Sequence, residues 1–150
     1  MTDSQVEFTV RPIGLIHTPF ADLPGMPIQA SRSEAAGRVE VYAEYAPGLA
    51  DLDGFSHVIL VYWFHRAAGF SLAVSPFLDA QSHGVFAVRY PTRPNPIGLS
   101  VVELTAVEGS TLHVCGVDML DETPLLDIKP FVPAFDHRED TRVGWLTGRV

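Results

Sequence analysis

Twelve prolines and twelve glycines divide this 150-residue chain into short apolar runs. No stretch of helical period between those runs is long enough for a βαβ crossover, which favours an antiparallel sheet over a parallel one. Residues 38–45 (RVEVYAEY) alternate, and residues 56–65 (SHVILVYWFH) and 84–90 (GVFAVRY) are rich in β-branched and aromatic side chains. Residues 99–107 and 111–117 flank Glu108-Gly109-Ser110, a glycine-containing connection suited to a hairpin. A first strand falls within residues 6–16. These signals predict an all-β fold: a small, mostly antiparallel β-barrel whose helical connections are short, at Gly48 to Phe55 or within residues 66–80.

A hydrophobic content of 47% over 150 residues is enough for one domain with a substantial core. The reading is a single domain over residues 1–150, with its core at about 8–136 and a tail at 137–150 that frays, as do residues 1–5. Trp145 lies in that tail and has either the body or a second subunit to dock on. The apolar run Val58 to Phe64 is followed at once by His65 and Arg66, so it is too short for a membrane span. The start, MTDSQVEFTV, carries no export features. Cys115 is the single cysteine; it excludes an internal disulfide, fits a cytoplasmic location, and reads as a core residue of a strand.

A net charge of −8 argues against the broad basic surface of non-specific nucleic-acid binders. Nine of the ten basic residues are arginine, and Arg66, Arg89 and Arg93 cluster in mid-chain. Their planar forks suit a small carboxylate or phosphate group. Arg89 and Arg93 sit in the run Arg89-Tyr-Pro-Thr-Arg93-Pro-Asn95-Pro-Ile-Gly98-Leu99, where three prolines fix φ and hold the preceding residues away from the α region. That loop is a stiff frame for donors. Its plain alternative is a proline-rich turn with solvated arginines.

Dinucleotide, P-loop and nucleophile-elbow motifs are absent. The six histidines have neither H-x-H nor H-E-x-x-H spacing, so no metal site is expected. His57 and His113 read as structural, whereas His65, at a strand end beside Arg66, is the functional candidate. The segment Asp118-Met119-Leu120-Asp121-Glu-Thr-Pro follows the hairpin. It reads either as an Asx-type turn or as two carboxylates able to accept hydrogen bonds from hydroxyl or ammonium groups.

Residues 13–20 (IGLIHTPF), 26–29 (MPIQ), 37–65, 84–104 (GVFAVRYPTRPNPIGLSVVEL) and 116–130 (GVDMLDETPLLDIKP) closely resemble the TsaA-like, or YaeB-like, family. The likeness covers about residues 8–136. It implies a dimeric small barrel that binds S-adenosylmethionine without a Rossmann fingerprint. It also implies a methyltransferase, acting in bacterial members on threonylcarbamoyladenosine beside the tRNA anticodon. Longer bacterial members continue into a further C-terminal domain, so this chain is expected to be a short form. Two departures stand out: Ile28 occupies a position where arginine is common, and the family's D-G-T-P is here Asp121-Glu122-Thr123-Pro124.

Carried over block by block, the resemblance implies a cofactor site of Pro27, Ile28, Gln29, His65, Arg66, Arg89, Leu99, Asp118, Met119, Leu120 and Asp121. Arg89 would hold an anionic group, Asp118 or Asp121 would take ribose hydroxyls or the methionine ammonium, and Leu99 with Ile28 would pack the adenine. His65, Asp118 and Asp121 are the candidates for accepting the acceptor's proton. Arg93, Asn95 and Lys129 are the candidates for substrate binding, with tRNA as a possible partner. A small-molecule acceptor and a non-catalytic accessory role are the alternatives. Apolar excess and the aromatics Trp63, Phe64, Phe131 and Phe135 fit a homodimer.

Overall fold

The computed structural model describes residues 6–22, 33–76 and 78–150. Six antiparallel strands close into a barrel: β1 (Gly14–His17), β2 (Ala36–Val41), β3 (His57–Trp63), β6 (Ile97–Glu108), β7 (Thr111–Cys115) and β8 (Thr123–Pro130). Around the barrel the order is β1-β2-β7-β6-β3-β8, and β1 pairs with β8 to complete the ring. The all-β barrel read from the sequence is therefore the fold. Two further strands, β4 (Ala73–Val74) and β5 (His83–Gly84), form a small ribbon outside it.

Alternation builds the core. Val39 and Val41 of β2, Val58, Leu60 and Tyr62 of β3, Val102 and Leu104 of β6, and Leu112 and Val114 of β7 all point inward. The β6–β7 hairpin turns through Gly109 and Ser110, with Glu108 opposite Thr111 and Gly109 at φ +61°, a conformation glycine adopts readily. Each of two ladders slips by one residue, between Val61 and Tyr62 on the β8 side of β3 and between Leu104 and Ala106 on β6. Bulges of this kind bend strands and help a short sheet close.

Several expectations are corrected. Residues 42–45 leave the sheet, because Tyr42 N–H meets Ile13 O just beyond the start of β1 and no longer neighbour continues the ladder. The connection coils instead into 3₁₀ turns at Ala43–Leu49 and Leu52–Gly54, beginning earlier than residue 48. Of residues 84–90 only Gly84, the end of β5, lies in a strand. After β5 they form a 3₁₀ turn, Val85–Ala87, since Val85 and Val88 are buried three residues apart on one side while Phe86 is exposed. No helix occurs among the described residues of 66–80. Residues 123–130, where the sequence suggested no strand, are a full barrel strand with inward Thr123 and Leu125 and with prolines near its ends.

The tail does not fray as expected. Trp145 donates to Ala87 O at 2.7 Å, stacks on His83 with ring centroids 4.5 Å apart, and packs against Val74, Val85 and Val88. Beside it, Asp79 accepts from His83 Nε2 at 2.8 Å and from Gln81 N–H, which together with Arg149 hold its carboxyl below the usual carboxylate value. Cys115 is only partly buried and lies at the end of β7 against Glu34 O. Among the described residues no helix is long and apolar enough to cross a membrane.

Glu122 sits at φ +62° in the left-handed region. A side chain there costs energy that glycine avoids, though glycine also raises the entropy of the unfolded chain. Glu122→Gly is therefore expected to stabilise the protein by about 0.5–1 kcal/mol in denaturant titrations with an unchanged slope; destabilisation would show that the Glu122 side chain itself holds the turn.

Candidate functional site

At one mouth of the barrel β1, β3 and β7 end and β2, β6 and β8 begin. Chain order therefore brings together Thr18–Asp22 after β1, Phe64–Arg66 after β3, the run 116–122 between β7 and β8, and the stiff loop before β6. Pro27, Ile28 and Gln29 belong between Asp22 and Ser33 and lie outside the described residues.

The acidic run is laced to the end of β1. Asp121 Oδ1 accepts the Thr18 N–H at 2.9 Å and lies 3.8 Å from His17 Nδ1, and Asp121 N–H donates to Phe20 O at 2.7 Å. Thr18 Oγ1 donates to Met119 O at 2.8 Å, while the Met119 side chain is 2% exposed and belongs to the core. Leu120 O accepts from Thr123 Oγ1. Met119, Leu120 and Asp121 thus brace the mouth. Asp118 is held differently: Ser100 Oγ donates to its Oδ1 at 2.6 Å, and Tyr62 OH lies 2.8 Å from Ser100 Oγ.

Tyr62 and Ser100 are each 3% exposed. Tyr62 faces Gly98 across the β3–β6 ladder, and a Cβ on Gly98 would overlap the Tyr62 ring. The glycine makes room for the phenol. Burial, with a smaller contribution from the Asp118 charge, pushes the phenol well above its ordinary pKa, so it remains a neutral hydrogen-bond donor.

His65 is exposed two residues beyond the end of β3. Arg66 Nη1 donates to Ala21 O at 3.0 Å, and its fork lies 3.9 Å from Asp22, so it ties the ends of β1 and β3 together. Arg89 is exposed on the loop before β6. Arg93 is partly buried and donates to Val88 O at 2.8 Å and Tyr90 O at 3.2 Å. It staples its own loop, where the sequence pointed outward to a substrate. Asn95 is exposed, and its carbonyl accepts the Ile97 N–H. Leu99 is 55% exposed on the outer face of β6. Lys129 is separated from the mouth: it lies near the far end of β8, opposite Ile59, and pairs with Asp127 at 3.0 Å.

Sequence reasoning missed Tyr62, Ser100 and Thr18. The available signal was parity, since Tyr62 and Ser100 occupy inward positions in otherwise apolar strands and glycine stands opposite the tyrosine. A hollow of about 410 Å³ lies at the opposite end of the barrel, between Tyr45, Leu49, Leu52, Phe55 and Asp127. It collects none of the candidate residues. Among the described residues no group of three or more His, Cys, Asp or Glu could hold a metal ion.

The chain is similar to several known proteins. A probable S-adenosyl-L-methionine-binding protein of Pyrococcus abyssi is 54% identical over 141 residues, covering 93% of this chain and 77% of the relative. The human tRNA (adenine(37)-N6)-methyltransferase is 35% identical over 134 residues, 84% of this chain and 30% of that enzyme. The crystal structure of TrmO from Pseudomonas aeruginosa superposes with a TM-score of 0.79 at 37% identity over 93% of this chain. The chain spans 63% of that structure's chain. Residues 15–137 match the family described as the tRNA-methyltransferase O N-terminal domain, and the chain belongs to that family.

Proposed function

We propose that this protein is an S-adenosylmethionine-dependent methyltransferase whose cofactor sits at the barrel mouth, with threonylcarbamoyladenosine of tRNA as its first candidate acceptor. The observation that carries the reading is the Asp118 carboxylate, oriented from inside the barrel at the mouth where His65, Arg66 and the loop bearing Arg89 also meet. This set of groups suits the ligand. A carboxylate matches ribose hydroxyls or an ammonium group, an arginine matches a carboxylate, and exposed Leu99 offers an apolar surface to adenine. Relatives named as S-adenosylmethionine-binding proteins and tRNA methyltransferases support the same assignment.

When bound, S-adenosylmethionine supplies a methyl group on a sulfonium. The chain's task is alignment, since displacement at that methyl needs donor and acceptor in line at close approach. Arg93, bonded to Val88 O and Tyr90 O, stiffens the loop that carries Arg89. Of the three candidates for taking the acceptor's proton, Asp118 is assigned to the ligand's hydroxyls or ammonium group and Asp121 is held against Thr18 N–H and His17, so we assign the role to exposed His65. Residues 1–150 act as one domain in this reading, in a reducing cytoplasm where the partly exposed Cys115 stays a thiol.

A second reading, a smaller acceptor, is favoured by the cations. Arg93 is spent on its own loop and Lys129 lies at the far end, so of Arg66, Arg93 and Lys129 only Arg66 stands exposed at the mouth to meet a phosphate. We also propose a homodimer, with the outer faces of β3 and β6 as the contact, where Ile97 is exposed opposite Trp63.

Calorimetric titration with S-adenosylhomocysteine is expected to give one site per chain, and Arg89→Ala is expected to weaken it by about 1–3 kcal/mol. No heat and no thermal stabilisation at millimolar ligand would rule the site out. Methyl transfer to bulk tRNA from a strain lacking the enzyme is expected at low salt and should fall steeply as salt rises; transfer to small acceptors alone would select the second reading. Light scattering is expected to return twice the single-chain mass, and the single mass at every concentration would exclude the dimer.

A further inference from the structure

Tyr62 and Ser100 introduce polar atoms into a barrel interior otherwise filled by residues such as Leu60, Val102, Leu104 and Leu125. Stability alone does not require them. A Phe and an Ala at these positions would leave no orphaned donor, and replacing both partners of a buried hydrogen bond by apolar groups of similar shape is close to neutral. The pair makes a directed chain instead. Ser100 has one hydroxyl proton and gives it to Asp118 Oδ1, so the 2.8 Å contact with Tyr62 must be filled by the Tyr62 proton. Both donors run toward the carboxylate. The Tyr62 bond polarises the Ser100 hydroxyl and so strengthens the bond it gives to Asp118.

We propose that Tyr62 and Ser100 are positioning residues for cofactor binding, which hold the Asp118 carboxylate in one orientation at the mouth through a relay anchored inside the barrel. Gly98 belongs to the same device, since it leaves the space that the Tyr62 ring occupies. The ring also meets Phe64 edge-on, with centroids 5.5 Å apart, which fixes the phenol at the start of the chain. The inference rests on the reading that S-adenosylmethionine binds at this mouth.

The test is the double variant Tyr62→Phe/Ser100→Ala, which removes the relay without stranding a buried hydroxyl. The expected result is a melting temperature close to wild type with S-adenosylhomocysteine binding weakened about tenfold by calorimetry. In an Asp118→Asn background the same double change is expected to cost no further affinity, a non-additivity that general loosening of the barrel would not produce. Wild-type affinity in the double variant would overturn the inference while leaving the cofactor reading intact. A full tenfold loss persisting beside Asp118→Asn, or a collapse of the melting temperature, would also overturn it by placing the pair's effect elsewhere. Absence of binding to the wild-type chain would remove the cofactor reading, and the inference with it.

Discussion

Pairing of the first barrel strand with the last is the constraint on which the mouth depends. Gly14, Leu15 and Ile16 of β1 face Leu125, Pro124 and Thr123 of β8, and the same short strand pairs on its other side with β2. Only four residues long, β1 closes the six-stranded ring by pairing on both sides, and it approaches β2 so tightly that a Cβ on Gly14 would collide with Glu40 O. Closure leaves no unpaired edge, and it fixes which loops share an end. The Thr18 bonds to Asp121 and Met119 then lock the end of β1 to the run that carries Asp118.

On that frame the mouth combines two kinds of support. From outside, the stiff proline loop is stapled by Arg93, and the segment behind it is gripped by Trp145 of the tail through Ala87 O. From inside, Tyr62 and Ser100 reach Asp118. Side chains that touch a ligand need orienting partners of this kind, because a loosely held carboxylate loses part of its binding energy to ordering. The arrangement also explains why residues that read as ligands in the sequence divide into two groups, some facing the mouth and others holding it in shape.

The barrel was legible because inward and outward residues alternate in β2, β3, β6 and β7, and because Gly109 marks the hairpin. β8 was hidden by Pro124, Asp127 and Pro130, which look like turn residues until the neighbouring strands satisfy the backbone between them. Val85 and Val88 suggested a strand, but their three-residue spacing belongs to a 3₁₀ turn. For the site, the stiff loop and acidic run could be read from residue types, and the family resemblance tied them together. The roles of Arg93 and Lys129 could not, since whether an arginine faces a guest or its own backbone is decided by loop geometry. The Tyr62–Ser100–Asp118 chain spans three segments and has no local signature.

We propose the mouth framed by the ends of β1, β3 and β7 as the cofactor site. A crystal structure of the protein with S-adenosylhomocysteine tests it most directly. Ligand polar atoms are expected within hydrogen-bonding distance of Asp118, with Ser100 still donating to that carboxylate. A ligand seated instead in the hollow at the opposite end, against Tyr45, Leu52 and Asp127, would contradict it.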